Sequence, residues 1–297
     1  MNIITISYIN FWIDPMNDDY FTKFIQHNIG SVKIISINEN PDIIIASCMG
    51  KISNIKNSNA KCKIFYYGEN LNRFPPYNNQ KLLYDTFDLI VGFNDTNLTK
   101  KQIKFPLWLI YYKYYNYNEN DNILKYIQNK YNENINKKKD KFATLIARHD
   151  NGKQRTKISN IVDKYGDIYY PSVFRNNTSK IGNSIQDKIN YISTSIYNIC
   201  PENSSYTNYF TEKIFQAFEG GTIPIYWAIN KPELNIINEN KYCFCNIYDI
   251  NELNKNIKHV IENKDYYIKG KIFTDNAHIY INKYYTDLKN AILNKLK

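Results

Sequence analysis

A chain of 297 residues is longer than one typical hydrophobic core supports, so we expect two domains. Its 43% hydrophobic and 15% aromatic residues exclude an intrinsically disordered protein. The net charge of +10 favours an anionic partner such as a nucleic acid, a phosphorylated ligand or an acidic surface.

Short apolar runs alternate with amphipathic stretches in the first part of the chain. This alternation is typical of βαβ units and parallel sheets. The runs are apolar almost throughout, which favours strands covered on both faces. The predicted strands are 3–9, 32–37, 42–46, 63–67 and 88–91, and the first connecting helix is predicted over 18–27. These elements predict one α/β domain.

The pattern dissolves between residues 111 and 140, where the sequence is polar apart from its tyrosines. A short helix around 123–127 is the only regular element predicted there, so we interpret the stretch as a linker. Alternation then resumes, and it predicts a second α/β domain. Its predicted strands are 142–147, 196–200, 222–227 and 242–245, and its predicted helices are 153–165, 185–193 and 275–296. In the last helix, positions 279, 283, 284, 288, 292 and 296 are predicted to share one face.

The segment NYFTEKIFQAFEGGTIPIYW, residues 208–227, predicts a helix followed by a strand. Thr211 is a suitable N-cap, and Gly220 with Gly221 suits the helix end. Glu212 is favourable at a helix N-terminus, whereas Lys213 is not, unless an anion binds there. Lys213 either faces a bound phosphate or points to solvent.

Other candidate residues follow predicted strands directly. Asn203 and Tyr209 lie in the polar loop after strand 196–200, and Arg155 opens the helix after strand 142–147. Glu69 follows strand 63–67 in the first domain. Ligands bind outside the carboxyl ends of strands in open α/β sheets, so these positions suit phosphate binding by arginine and proton transfer by glutamate. Each residue taken alone also fits an ordinary surface position.

Several of these segments together resemble one enzyme family. The stretches PENSSY and YFTEKIFQAFEGGTIPIYW resemble the donor-binding signature of the family 10 α1,3-fucosyltransferases. FYYGEN, DLIVGF and FPLWLIYY are similar in order and spacing to bacterial members of this family. The resemblance covers residues 2–293 and is weakest over 113–140.

The resemblance implies an α/β GT-B fold, with two Rossmann-like domains facing a central cleft. The N-terminal acceptor-side domain is expected at 1–125, the linker at 126–140 and the nucleotide-sugar domain at 141–279. A C-terminal helix, 280–297, is expected to pack back on the N-terminal domain. The implied activity in glycan biosynthesis is inverting transfer of fucose from GDP-fucose to a glycan hydroxyl, α1,3 to a GlcNAc- or Glc-type sugar.

The resemblance also implies residue roles. Glu69 is the expected general base, and Arg155 with Lys213 is expected to hold the donor diphosphate. Glu212 is expected to bond the ribose hydroxyls. Asn203 and Tyr209 complete the expected donor site. No D-x-D pair or close histidine pair suggests a metal site, so we expect neither a metal nor a cofactor besides the donor.

Three alternatives stay open. Ala228 stands where the family usually has glycine, which allows the same fold with a different nucleotide sugar. The positive charge allows a nucleic-acid-binding protein, although no basic stripe or known module is present in the sequence. The third alternative is a catalytically inactive, lectin-like binding protein. The presence of Glu69, Arg155 and Lys213 argues against it.

The cysteines and the apolar runs bear on location. The five cysteines form no C-x-x-C pair, and an odd number argues against a complete disulfide framework. No stretch reaches the roughly 18 apolar residues of a transmembrane helix, and the N-terminus lacks signal-peptide features. We therefore expect a soluble cytoplasmic protein of bacterial or viral origin.

Overall fold

The computed structural model describes residues 3–11, 20–94, 101–118 and 121–297. The chain forms two compact units. Unit 1 comprises Met1–Asn120 and Ile279–Lys297, and unit 2 comprises Asp121–His278.

Unit 1 contains a six-stranded sheet in which all the neighbouring strands are parallel. Its strands are β1 (Ile4–Ile9), β2 (Val32–Ile34), β3 (Ile43–Ala46), β4 (Cys62–Tyr67), β5 (Leu89–Gly92) and β6 (Gln102–Lys104). Their order in the sheet is β2-β1-β3-β4-β5-β6. Every residue of β3 and β5 is buried, as expected for strands covered on both faces. The sequence did not predict β6, because its residues, Gln-Ile-Lys, include a single apolar side chain and therefore form no apolar run.

The α-helices that the structure describes in the first segment of unit 1, up to residue 118, are short. They are α1 (Tyr20–Asn28), α2 (Ser53–Lys56), α3 (Gln80–Thr86) and α4 (Leu107–Tyr111). The helix predicted over 18–27 corresponds to α1, and its first two positions lie outside the described residues. The buried face of α1 consists of Tyr20, Phe21, Phe24 and Ile25, at the spacing of one helical face.

Unit 2 contains a five-stranded sheet, also parallel throughout, in the order β11-β10-β9-β7-β8. Its strands are β7 (Lys141–Thr144), β8 (Ile168–Tyr169), β9 (Ser195–Ile199), β10 (Ile223–Tyr226) and β11 (Cys243–Phe244). Its helices are α5 (Ile123–Ile135), α6 (Gln154–Val162), α7 (Ile185–Ile192), α8 (Lys213–Glu219), α9 (Ile250–Glu262) and α10 (Lys264–Ile268). The central strand β9 lies between β10 and β7, so the loop that follows β9 starts at the middle of the sheet edge.

Helix α5 occupies much of the stretch interpreted as a linker from the sequence. It begins after the N-cap Asn122, whose side chain accepts a hydrogen bond from the backbone of Lys125 at 3.0 Å. Its buried residues include Ile123, Ile127 and Tyr131, which recur every four positions along one face. Two of these three positions are isoleucines and the third is a tyrosine, and the asparagine-rich composition hid this periodicity from the sequence prediction.

Gly221 lets α8 end against α5. Its φ of 63° is in the left-handed region, and a Cβ there would lie 2.4 Å from the carbonyl carbon of Asn134 in α5. The Asn134 side chain donates a hydrogen bond to the carbonyl of Glu219 at 2.6 Å, which holds the two helices together. The glycine at this position is therefore required by both conformation and space.

We expect Gly221→Ala to lower the free energy of unfolding by about 2–4 kcal/mol, since left-handed strain adds to overpacking. Gly270→Ala is the matched control, because Gly270 has a φ of 83° and nothing lies within 4 Å of its added Cβ. The control has the conformational cost alone, about 1 kcal/mol. Urea unfolding measures both variants, and equal losses would contradict the close approach of α5.

The C-terminal helix is α11 (Ala277–Leu296). Its buried residues are Ala277, Ile281, Tyr284, Tyr285, Leu288 and Ile292. The predicted face was partly wrong, because Ile279 is 54% exposed and Tyr285 is buried in its place. The Tyr285 ring packs against Phe105 in unit 1, with the ring centroids 5.5 Å apart. Because of this aromatic contact, the buried face of α11 includes Tyr285 instead of Ile279 and differs from the face predicted from the sequence.

Candidate functional site

The predicted donor residues cluster at the carboxyl edge of the sheet in unit 2. The loop over residues 200–212 leaves β9 at this edge, and the chain from β7 to α6 leaves the neighbouring strand at the same edge. Because all the strands are parallel, the two connections start side by side. This is the place where open α/β sheets bind ligands.

Arg155 lies in the first turn of α6 and is only 5% exposed. Its guanidinium donates a hydrogen bond to Asn203 Oδ1 at 2.6 Å and another to the backbone carbonyl of His149. Burial lowers the pKa of Arg155, and the charges of Asp150 and Glu202 oppose that shift. The structure therefore brings two predicted donor residues, Arg155 and Asn203, into direct contact.

Lys213 has a buried ionic partner. Its Nζ lies 2.9 Å from Oε2 of Glu202 and donates a second hydrogen bond to Thr211 Oγ1 at 2.6 Å. Glu202 is fully buried, and the Lys213 side chain keeps 15% of its surface exposed. Burial acts to lower the pKa of Lys213, but the negative charges of Glu202 and Glu212 outweigh it and raise that pKa. The lysine is therefore a fixed cation that presents a small exposed surface.

The prediction that Thr211 is the N-cap is wrong. Helix α8 begins at Lys213, its N-cap position is Glu212, and no side chain caps it. The backbone N–H and the hydroxyl of Thr211 instead donate to the Glu202 carboxylate, at 2.8 and 2.7 Å. In the sequence, Glu202 lies in the candidate-site loop that also holds Asn203 and Tyr209, and no local pattern indicates its role. The Glu202 carboxylate accepts hydrogen bonds from both Thr211 and Lys213. This explains why Thr211 does not cap the helix and why a lysine is tolerated at the helix N-terminus.

Glu212 lies between two ammonium groups. Its Oε1 is 3.8 Å from Nζ of Lys213 and 3.8 Å from Nζ of Lys188 in α7. Burial acts to raise the pKa of Glu212, but the charges of Lys213 and Lys188 overcome it and hold that pKa below its ordinary value. Sequence reasoning missed Lys188, because a lysine inside a predicted amphipathic helix carries no distinguishing pattern. The Lys188 side chain is 26% exposed, and it places a second ammonium group beside Glu212.

Two further residues contribute buried surface near this edge. Tyr209, a predicted donor contact, is 1% exposed in the loop after β9. Ala228 is 2% exposed two residues beyond β10. Both side chains are part of the packed interior.

Glu69 belongs to unit 1, where it follows β4. Its side chain is 30% exposed and lies 3.8 Å from the Arg73 guanidinium. Gly68 allows the preceding backbone to pass close to Leu107, since a Cβ there would lie 2.8 Å from Cδ1 of that leucine. The Asn70 side chain accepts a hydrogen bond from the backbone of Asn72 at 3.0 Å and so fixes the turn that follows. The result is a partly exposed carboxylate on a constrained turn at a strand end, which suits a general base.

Two kinds of feature are absent from the described ranges. Within residues 3–11, 20–94, 101–118 and 121–297, no group of three or more His, Cys, Asp or Glu side chains is arranged to hold a metal ion. No helix in the same ranges has the length and apolar character needed to cross a bilayer.

Comparison with known proteins places both units in one family. The family model described as the α-(1,3)-fucosyltransferase FucT N-terminal domain matches residues 6–111. The model described as glycosyltransferase family 10 (fucosyltransferase) C-term matches residues 135–286.

A curated relative agrees with these family models. The α-(1,3)-fucosyltransferase of Helicobacter pylori is 22% identical, and the alignment covers 86% of this chain and 56% of the relative. The chain thus spans about half the length of that curated relative.

Solved structures of similar proteins have the same fold. A crystal structure of an α1,3-fucosyltransferase aligns with a TM-score of 0.70 and 20% identity, covering 98% of this chain and 90% of that one. A crystal structure of α1,3-fucosyltransferase with GDP-fucose aligns with a TM-score of 0.66 and 19% identity, covering 97% and 90%. The predicted α/β GT-B fold is confirmed, and so is the predicted family. The chain belongs to glycosyltransferase family 10, the fucosyltransferases.

Proposed function

We propose that the protein transfers fucose from GDP-fucose to a hydroxyl group of an acceptor glycan, with inversion and α1,3 linkage to a GlcNAc- or Glc-type sugar. The observation that carries the proposal is the cluster of Arg155, Lys213 and Lys188 around the loop after β9, beside the carboxylate of Glu212. Its family membership and a relative crystallised with GDP-fucose support this donor.

Cations and a carboxylate together suit a nucleoside diphosphate. Arg155 and Lys213 would each donate charge-assisted hydrogen bonds to the diphosphate. Glu212 would accept hydrogen bonds from the ribose hydroxyls, and its lowered pKa keeps it ionised for that purpose. Asn203 and Tyr209 would complete the donor site. Negative charge grows on GDP as it leaves, and fixed cations stabilise that charge in the transition state.

Glu69 would act on the acceptor. Its carboxylate takes the proton from the attacking hydroxyl while that oxygen bonds to the anomeric carbon of fucose. The bond from this carbon to the phosphate oxygen breaks at the same time, and its electron pair leaves with GDP. The transition state has oxocarbenium character, and a single displacement inverts the anomeric configuration. We propose that this reaction needs neither a metal ion nor a cofactor.

A different nucleotide sugar is the second candidate donor. Ala228 carries a methyl group where the resemblance indicates glycine in the family, and it is buried two residues beyond β10. An added methyl group alters the volume available to a bound sugar more than it alters contacts to a diphosphate. The same fold could therefore serve a GDP sugar other than GDP-fucose.

Thermal unfolding with nucleotides tests the donor assignment. GDP should raise the melting temperature at concentrations where UDP and ADP do not, because only a ligand bound by the folded state stabilises it. GDP-fucose should then be hydrolysed or transferred faster than GDP-mannose. A preference for UDP would contradict the proposal, whereas a preference for GDP-mannose would favour the second candidate. A single-stranded RNA in the same assay tests the nucleic-acid alternative, which a steep loss of RNA affinity with rising salt would favour.

A further inference from the structure

We propose that Glu202 and its neighbour Asn203 position the two cations of the donor site, with Glu202 holding Lys213 and Asn203 holding Arg155. The inference rests on the proposed function, since it assigns these cations to a diphosphate. The inference also extends the proposed function. Glu202 becomes a positioning residue that does not contact the donor, and the principal role of Asn203 becomes the orientation of Arg155.

The Glu202 carboxylate is saturated by protein donors. Oε1 accepts hydrogen bonds from the Thr211 backbone at 2.8 Å and from the Tyr226 hydroxyl at 2.8 Å. Oε2 accepts from the Thr211 hydroxyl at 2.7 Å and from Lys213 Nζ at 2.9 Å. Glu202 is 0% exposed. A carboxylate that is both buried and bonded four times has no surface for a ligand, and its charge would repel a diphosphate.

The backbone of Glu202 is fixed as firmly as its side chain. Its N–H donates to the carbonyl of Trp227 at 2.8 Å, which ties it to the chain beyond β10. Its carbonyl accepts a hydrogen bond from the Gln154 side chain at 2.9 Å, which ties it to the start of α6. Glu202 therefore links the ends of β9 and β10 with the starts of α6 and α8.

Adjacent placement of Glu202 and Asn203 couples the two cations. Lys213 begins α8 and Arg155 lies in α6, so nothing in the local chain relates one cation to the other. Two consecutive residues of one loop bond both cations, at 2.9 Å for Lys213 and 2.6 Å for Arg155. The loop thereby sets the separation between the cations before a ligand arrives, and such preorganisation favours binding.

Lys213 has an alternative partner if Glu202 loses its charge. Its Nζ is already 3.8 Å from Oε1 of Glu212, within the range of an ion pair. In Glu202→Gln the ammonium is expected to move toward Glu212 and away from its position for the diphosphate. The direction of the change in GDP affinity therefore distinguishes a positioning role of Glu202 from a simple effect of its charge. Loss of positioning weakens GDP binding, whereas loss of a nearby negative charge alone strengthens it.

The test compares GDP with guanosine by isothermal titration calorimetry on the full chain. For Glu202→Gln we expect about 10–100-fold weaker GDP binding, because a charge-assisted hydrogen bond is lost, and unchanged guanosine binding. In the Lys213→Met background the same substitution should have no further effect on GDP. Tyr226→Phe is the control, since it removes a donor to the same carboxylate without touching Lys213. It should leave the ratio of GDP to guanosine affinity unchanged.

Thr211→Val provides a second variant if Glu202→Gln does not fold. It removes the hydroxyl that joins Glu202 to Lys213 and keeps the buried carboxylate, so GDP binding should weaken severalfold at constant guanosine binding. Tighter or unchanged GDP binding in a folded variant would overturn the inference, and so would an equal loss in the Lys213→Met background. If the wild-type protein bound guanosine and GDP with equal affinity, the result would instead overturn the proposed function.

Discussion

Glu69→Gln is expected to lower kcat for fucose transfer by about 10²–10⁴-fold and to leave GDP affinity unchanged. The amide keeps the size of the side chain but cannot take a proton from the acceptor hydroxyl. Steady-state transfer kinetics measure the first effect and calorimetry with GDP measures the second.

Glu262→Gln provides a matched control for this result. Glu262 is an exposed carboxylate at the end of α9, 3.7 Å from Lys258, and its loss should alter neither quantity. Retained transfer in Glu69→Gln would remove Glu69 from the role of base. A parallel loss of GDP affinity would show that the substitution acts through the donor site instead of the acceptor.

Arg155→Lys is expected to weaken GDP binding by about 10–100-fold although the positive charge is kept. The planar guanidinium donates to Asn203 and to the His149 carbonyl at the same time. A lysine ammonium lacks this planar fork, so it cannot be held at the position of the guanidinium. Burial opposes any unpaired cation there, because burial alone already lowers the pKa of Arg155.

The neighbouring Arg148 supplies the control for that substitution. Arg148 is exposed in the same connection between β7 and α6, so Arg148→Lys should leave GDP affinity unchanged. Guanosine binding should be the same in all these variants. If Arg155→Lys bound GDP as tightly as the wild type, the positive charge alone would suffice, and the geometry of the arginine fork would have no part in donor binding.

The sequence predicted those features that depend on local pattern. Buried parallel strands such as β3 and β5 are apolar at every position. The sequence motifs also propose Glu69, Arg155 and Lys213 as site residues, and these assignments stay predictions. The sequence could not predict pairings between distant residues. The partner of Lys213 is Glu202, on the far side of a loop, and a carboxylate in a polar loop has no local signature.

Composition also hid part of the fold. Helix α5 uses a tyrosine where a helix face usually carries an aliphatic residue, and its surrounding asparagines resemble those of a linker. In α11 the aromatic contact of Tyr285 with Phe105 decides which face is buried, and apolar periodicity does not include that contact. Both differences arise from tertiary packing that overrides local preference.

Transfer from GDP-fucose to an array of defined glycans, followed by linkage analysis of the product, tests the central claim most directly. The account predicts an α1,3-linked fucose on a GlcNAc- or Glc-type sugar, formed without added metal and in the presence of a chelator. Glu69→Gln should give no product on the same array. Transfer of a different sugar, or a product whose anomeric configuration is retained, would contradict the account.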